Sequence, residues 1–241
     1  ERVYAIESPK IRVIQSQWNE SMHDRGFVYG QQKMLAQYNC SGDWAFYLEG
    51  DEVLHEDDMF PIRKTMEDNL SNLEVEALYF DFFHFYGTPK QIGISGYRKA
   101  PRIIRNSIRS IAPDGLFWIV MEKNKRGRYP KAKHANGRIY HYGHCRSVEK
   151  MNKKLMQVGK YWGASHEAFQ GYGSIDVAEL RPFDGDHPKV MEHWLKTEAE
   201  RVFQPDPSYK LSRRDYRNRI RFWLEDKLDL EFSKKHYTAI K

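Results

Sequence analysis

Cysteine is scarce in this chain of 241 residues: Cys40 and Cys145 are the two present, and no C-x-x-C pair exists. That argues against a disulfide framework and points to a reducing, cytoplasmic compartment. No apolar run approaches the ~20 residues that cross a bilayer, and the most hydrophobic stretch, Leu116 to Met121, has only strand length. A spanning helix is thereby excluded. Internal repeats, low-complexity segments and a basic-then-apolar leader are also missing, so the chain reads neither as a repeat protein nor as a signal peptide. It begins at Glu1 rather than at methionine, which reads as an N-terminally trimmed fragment. What is present is 40% apolar, 30% charged and 14% aromatic residues, the composition of a soluble globular protein. A chain of this length buries roughly 70% of its unfolded surface. The net charge of +6 permits an anionic partner, whether nucleic acid, a phosphorylated small molecule or an acidic membrane, without choosing among them.

Residues 11–14 read as a short strand, and Phe27, Met34, Leu35 and Tyr38 recur at helical spacing. Trp44 to Leu48 is a continuous apolar run, as in a strand buried on both faces, and it ends abruptly in Glu49-Gly50-Asp51-Glu52. Asp58 is the expected N-cap of a helix with Pro61 in its first turn and Ile62, Met66 and Leu70 on one face. Residues 75–86 form a second strong strand, and shorter ones are expected at 102–105, 116–121 and 138–142. The segment 122–136 reads as a basic loop containing glycine and proline. Further helices are marked by Val148, Met151, Leu155 and Met156, by Met191, Trp194, Leu195 and Val202, and by Tyr216, Ile220, Trp223 and Leu224. The reading is α/β, with a mixed, mostly parallel sheet flanked by helices. A soft boundary near residue 204 divides a main domain, 1–204, from a C-terminal helical extension, 205–241.

Glu49, Asp51 and Glu52 carry the most chemical information. Open α/β sheets bind ligands at the carboxyl ends of strands, and two carboxylates one residue apart can both reach a hard cation such as Mg²⁺ or Mn²⁺. An acidic turn that merely caps the next helix has the same spelling; its place after a strand favours the ligand reading. Arg138 to Arg146 ends a strand in His141 and Gly143, so that His141 can join a metal site and Gly143 can let a ligand approach the backbone. A zinc reading of His144 and Cys145 is weak with so few cysteines. Arg102 and Arg105 can pair with a diphosphate, or form a solvated basic edge, and Lys153 and Lys160 can act likewise. In the 181–188 segment, Asp184, Asp186 and His187 can line an acceptor site, although an ordinary turn is the simpler reading.

Trp44-Ala-Phe-Tyr-Leu-Glu-Gly-Asp-Glu-Val-Leu54 resembles the strand and D-x-D-E turn of family 2 glycosyltransferases of the GT-A fold. Phe83 to Gly87, Arg102 to Asn106, Ile139 to Gly143 with Arg146, and His187 to Met191 resemble a bacterial-type subgroup in the same order, over roughly residues 1 to 195. The resemblance implies an inverting glycosyltransferase of cell-surface polysaccharide biosynthesis. It would move a hexose-type sugar from a nucleotide-diphosphate donor to a glycan or lipid-linked acceptor hydroxyl. It implies Mn²⁺ or Mg²⁺ on the diphosphate, with Asp51 as principal metal contact, His141 completing the site, and Glu49 in place of the usual first aspartate. Donor contacts are then expected from Glu49, Gly50, Asp51, Arg102 and Arg105. For the general base, Asp114 is the first choice and Glu122 the second. Against the family pattern, the first β-α-β unit that holds the nucleotide base is missing, and about 40 to 50 further residues are expected before Glu1.

The terminal helix joins a basic half (Lys210, Arg213, Arg214, Arg217, Arg219, Arg221) to an acidic half (Glu225, Asp226, Asp229, Glu231). Its basic half can sit on anionic lipid at the inner face of the membrane, a peripheral contact; packing of Ile220 and Trp223 against the main domain is the preferred reading. Two other functions compete. A basic nucleic-acid-binding protein would use the charge and the aromatic-basic run 209–223, but the acidic cluster at 49–58 interrupts any basic face and no nucleic-acid motif stands out, so no nucleic-acid partner is expected. An inactive GT-A pseudoenzyme that binds glycans would keep the fold without the transfer.

Overall fold

The computed structural model describes residues 6–19, 21–162, 169, 171–200 and 202–240. In chain order its elements are α1 (Phe27–Tyr38), β1 (Trp44–Phe46), β2 (Glu52–Leu54), α2 (Met59–Asp68), β3 (Ala77–Tyr86), β4 (Thr88–Gly93) and β5 (Lys99–Arg105). There follow β6 (Ser110–Ile111), β7 (Ile119–Met121), β8 (Gly127–Arg128), β9 (Lys131–His144), α3 (Val148–Lys160), β10 (Leu180–Pro182), α4 (Glu192–Thr197), α5 (Arg213–Leu228) and β11 (Thr238–Ala239). The architecture is mixed α/β, a curled sheet of parallel and antiparallel strands flanked by helices.

β3 is the centre of the sheet. It lies parallel to β9 along one edge and antiparallel to β5 and then β4 along the other. β1 adds to β5, β10 to β4, and β2 to β9, all antiparallel, while β11 joins β9 in parallel. The expectation of a mostly parallel sheet is therefore corrected. Its cause is the brevity of the connections: β3 and β4 are joined through Gly87 alone, which sits at φ 70°, and so short a link permits only an antiparallel return. A strand buried on both faces has the same apolar spelling in either direction.

Leu78, Phe80 and Phe82 of β3 pack with Ile103 of β5, Ile139 of β9 and Ile62 of α2 in the main core. A second cluster joins Met34 of α1 to Ile104 and Trp118, and a third stacks Phe85 on Tyr142. α2 lies directly on β9 at Gly137, where a Cβ would come within 2.5 Å of Ile62 Cγ1. Asp58 occupies the N-cap position of α2 as expected, but its side chain makes no cap hydrogen bond. It is buried and takes the guanidinium of Arg138 through Nε at 3.0 Å and Nη2 at 2.7 Å, a charge-assisted pair that outbids a backbone cap.

Other differences are local. Residues 11–14 form no strand and leave Ile11, Val13 and Ile14 exposed. The segment 122–136 is not a plain loop, since it contains β8 and the start of β9. The 116–121 strand shrinks to β7, and Trp118 turns into the core. The C-terminal segment forms the expected helix and then β11, a strand not expected from its sequence.

Candidate functional site

The acidic turn is positioned by the split between β1 and β2. β1 pairs on the β5 side of β3 and β2 on the β9 side, so residues 47–51 pass from one side of the central strand to the other. The backbone is pinned at both ends: Tyr47 N–H donates to Arg102 O at 2.8 Å, and Tyr142 N–H to Asp51 O at 2.9 Å. Glu52 supplies the inner anchor. Its carboxylate is buried and accepts Arg102 Nε at 2.8 Å and Nη2 at 2.5 Å, and Glu49 N–H reaches it at 3.2 Å.

The three acids thus have three environments. Glu49 faces a cavity of about 720 Å³, within the size range of small-molecule sites. Burial pushes its carboxyl up to about 7, with Glu52 and Asp51 adding to the rise and Arg102, 3.9 Å away, opposing it. Asp51 meets cations instead: Lys154 Nζ lies 2.8 Å and Arg146 Nη2 3.2 Å from Oδ2, and His141 Nε2 lies 3.6 Å from Oδ1. Burial works against its ionisation, but the Lys154 and Arg146 charges on Oδ2 outweigh it and hold the carboxyl below the ordinary aspartate value. Gly143 makes this crowding tolerable. A Cβ there would stand 2.5 Å from His141 Nε2 and 2.7 Å from Lys154 Nζ, so the glycine serves the side chains more than a ligand.

His84, from β3, completes the cluster. Its Nε2 lies 2.8 Å from Tyr97 O, which can only accept, so Nε2 carries the proton. Burial holds His84 down to about 3 and also keeps His141 neutral. Nδ1 of neutral His84 must then accept from Nδ1–H of His141, 2.9 Å away. That leaves the lone pair of His141 Nε2 facing Asp51. Burial likewise lowers His144 to about 4, so this end of the cavity holds neutral imidazoles.

Whether these residues suit a divalent metal follows from the donors. Asp51 Oδ1 and His141 Nε2 present lone pairs to a common space, and Glu49 lies on the same turn. Among the described residues no group of three or more His, Cys, Asp or Glu converges. Two protein donors suit Mg²⁺ or Mn²⁺ that shares its other positions with water and a diphosphate; they do not suit a metal held by protein alone.

Around the cavity, Tyr29, Tyr47, Tyr86, Tyr97 and Trp162 supply aromatic faces, and Leu155, Val158 and Lys154 come from α3. A neighbouring cavity of about 490 Å³ shares Glu49, Gly50 and Lys154 and is otherwise lined by Asp51, Arg146, Lys150, Lys153 and Gln157. The acidic turn is therefore the wall between an aromatic compartment and a cationic one.

Several expected site residues lie elsewhere. Arg102 is fully buried as the partner of Glu52, and Arg105 donates to the carbonyls of Asn69, Leu70, Asn72 and Val75; neither lines the cavity, so both serve the framework where donor binding was expected. Asp114 Oδ1 accepts from the N–H groups of Leu116 and Phe117, one residue behind the cavity wall. Glu122 pairs with Arg128 on the small sheet β6–β7–β8, away from the cavity. His187 Nδ1 sits 2.8 Å from Tyr142 OH against Phe85, and neither it nor Asp184 or Asp186 lines the cavity. Cys145 is a buried thiol pushed up to about 12 by burial, and among the described residues no group of three or more His, Cys, Asp or Glu forms around it and His144.

Lys154 and His84 had no assigned role in the sequence reading. The signal for Lys154 was its spacing: Lys150, Lys154 and Gln157 recur on one face of α3, and Lys153 lines the same cavity while its ammonium pairs with Glu149. His84 could have been found from its place opposite His141 in two strong strands. Comparison with protein-family models, curated proteins and solved structures returns no match.

Proposed function

We propose that this protein is an inverting glycosyltransferase with a GT-A-like domain, moving a sugar from a nucleotide-diphosphate donor to an acceptor hydroxyl. The observation that carries the reading is the pair of compartments divided by Glu49-Gly50-Asp51. Flat aromatic rings suit a sugar or a base, and clustered ammonium and guanidinium groups suit a diphosphate. Arg146 strengthens the second half, because its buried Nε has no acceptor among the described residues and its Nη2 already points at an anion.

In this reading the acceptor oxygen attacks the anomeric carbon as the bond to the diphosphate breaks. Lys154 and Arg146 receive the negative charge that develops on the leaving oxygen. Glu49, the carboxylate in the cavity lining, takes the acceptor proton. Asp51 holds the two cations at the turn, and His141, fixed by His84, keeps its Nε2 lone pair on the same space. Asp51 and His141 would hold a divalent cation, which would supply neutralising charge for the diphosphate.

The test is turnover of a panel of nucleotide sugars by the wild-type chain and by Asp51→Ala, with product read by mass spectrometry. Release of nucleoside diphosphate that Asp51→Ala abolishes is the expected result. Full turnover in Asp51→Ala, or binding of no nucleotide by the wild type in calorimetry, would sink the reading.

A further inference from the structure

The sequence pattern of α5 and its packing are opposed. The face turned to the body of the protein is mainly polar: Asp215, Asn218, Phe222 and Glu225 are its buried residues. Glu225 meets Arg98 at 2.5 Å, Arg219 meets Asp176 at 2.7 Å, Tyr209 OH donates to Asp215 at 2.8 Å, and Asn218 pairs with Glu179. The apolar stripe faces outward. Tyr216, Ile220, Trp223 and Leu224 are 57%, 61%, 59% and 36% exposed, so the expected packing of Ile220 and Trp223 against the main domain is corrected. Leu228, Leu230 and Phe232 continue the exposed apolar surface past the helix end.

At 3.6 residues per turn, Arg213, Arg217 and Lys227 fall on the same side as Ile220. All three are exposed, and among the described residues none of them enters an ion pair. The acids nearest to them are turned away: Asp215 and Glu225 face the body, and Asp226 lies on the flank. A central apolar strip with a tryptophan and a tyrosine, bordered by cations and free of carboxylates, matches the layered chemistry of a bilayer surface, with anionic headgroups above an apolar boundary. A second copy of this face would set the three cations against their own counterparts. Nucleic acid would find aliphatic side chains, Ile220 and Leu224, where a stacking platform is needed.

We propose that the outer face of α5 docks on an anionic lipid surface. The proposal stands apart from the sugar-transfer reading, but it bears on the same cavity. Arg221 Nη2 donates to Ser95 O at 3.0 Å, and Arg98 is held by Glu225, so α5 is tied to the 94–98 segment whose Ser95, Gly96 and Tyr97 line the cavity. Docking through α5 brings that wall towards the lipid surface.

The test is co-sedimentation of the full chain with phosphatidylcholine vesicles, with and without about 30% phosphatidylglycerol, at about 0.1 M salt. A basic residue near such a surface contributes about fivefold in partition, so three predict an anionic preference on the order of a hundredfold that falls with added salt. Ile220→Glu/Trp223→Glu should lose at least about tenfold in partition with an unchanged thermal midpoint, since both residues are exposed. Arg213→Glu/Arg217→Glu/Lys227→Glu should lose the preference for anionic vesicles. Equal partition into both vesicle types, or full binding by the Ile220/Trp223 variant, overturns the proposal. So does a concentration-dependent dimer, or oligonucleotide binding, that the same variant abolishes while the wild type ignores vesicles.

Discussion

Arg102→Leu separates a framework arginine from a ligand arginine. In the wild type the guanidinium is fully buried, spans both oxygens of Glu52, donates to Pro101 O and Leu116 O, and lies 4.7 Å over the Phe82 ring. Leucine fills much of the space but leaves the Glu52 carboxylate buried and uncompensated. Removing one partner of a buried pair costs about 3–5 kcal/mol, against a total stability on the order of 5–15 kcal/mol for a protein domain. A loss of that size is about a fifth or more of the reserve, and it should be visible as an earlier midpoint in urea unfolding followed by tryptophan fluorescence. Glu52→Leu alone should cost a similar amount, because Arg102 is then the orphan. The double variant Arg102→Leu/Glu52→Leu removes both charges and should recover at least about 2 kcal/mol relative to the sum of the single changes. Glu52 also accepts from Glu49 N–H, so every one of these variants should loosen the acidic turn as well. The reasoning fails if Arg102→Leu unfolds within about 1 kcal/mol of wild type yet loses nucleoside diphosphate binding, since that is how a ligand arginine behaves.

Lys33 offers a pH test. Its ammonium is buried, 3.5 Å over Trp118 and 4.4 Å over Tyr47, and burial, helped by the Arg102 charge, lowers its pKa well below that of an ordinary lysine. Between that depressed value and about 10.4 the unfolded chain binds more protons than the folded one, so this group makes stability rise with pH across that window; Lys33→Met should flatten the slope measured by urea unfolding at a series of pH values. Gly137→Ala should cost about 1–3 kcal/mol by pushing α2 away through Ile62, and Ile62→Val in the same chain should return part of it in thermal unfolding. Lys154→Ala should weaken nucleoside diphosphate binding at least about tenfold in calorimetry, whereas Lys153→Ala, whose ammonium pairs with Glu149, should change it less than about threefold.

Most of the scaffold around the site was legible because it rests on long apolar runs and clear helical periods. Trp44 to Phe46, Ala77 to Tyr86 and the 138–142 core of β9 are strands, and α1, α2 and α3 fall where their apolar spacing put them. The acidic turn was legible for the same reason, as polar residues that abruptly end an apolar run. The role of each acid was not. Glu49, Asp51 and Glu52 are neighbours in sequence, yet one faces an aromatic cavity, one faces lysine and arginine, and one is locked to Arg102, fifty residues away along the chain. Nothing local separates them, because the partners arrive from β5, β9 and α3. Arg102 and Arg105 mislead for a related reason: an arginine bound for a phosphate and an arginine bound for buried carbonyls look alike until the fold shows what surrounds them.

α5 shows the limit of periodicity most sharply. Tyr216, Ile220, Trp223 and Leu224 define one apolar face, and the usual inference is that such a face turns inward. Periodicity states only that these residues share a side; which side packs is decided by what the body of the protein presents. Here it presents Arg98, Asp176 and Glu179, which the helix meets with Glu225, Arg219 and Asn218, and each pairing is between groups that would be costly to bury alone. With those partners on the body, turning the apolar face inward would strand the charges on both surfaces. The outward stripe is the consequence. A partner that is apolar at its centre and anionic at its rim satisfies Trp223 and Arg217 together, and a bilayer surface has that order of layers built in.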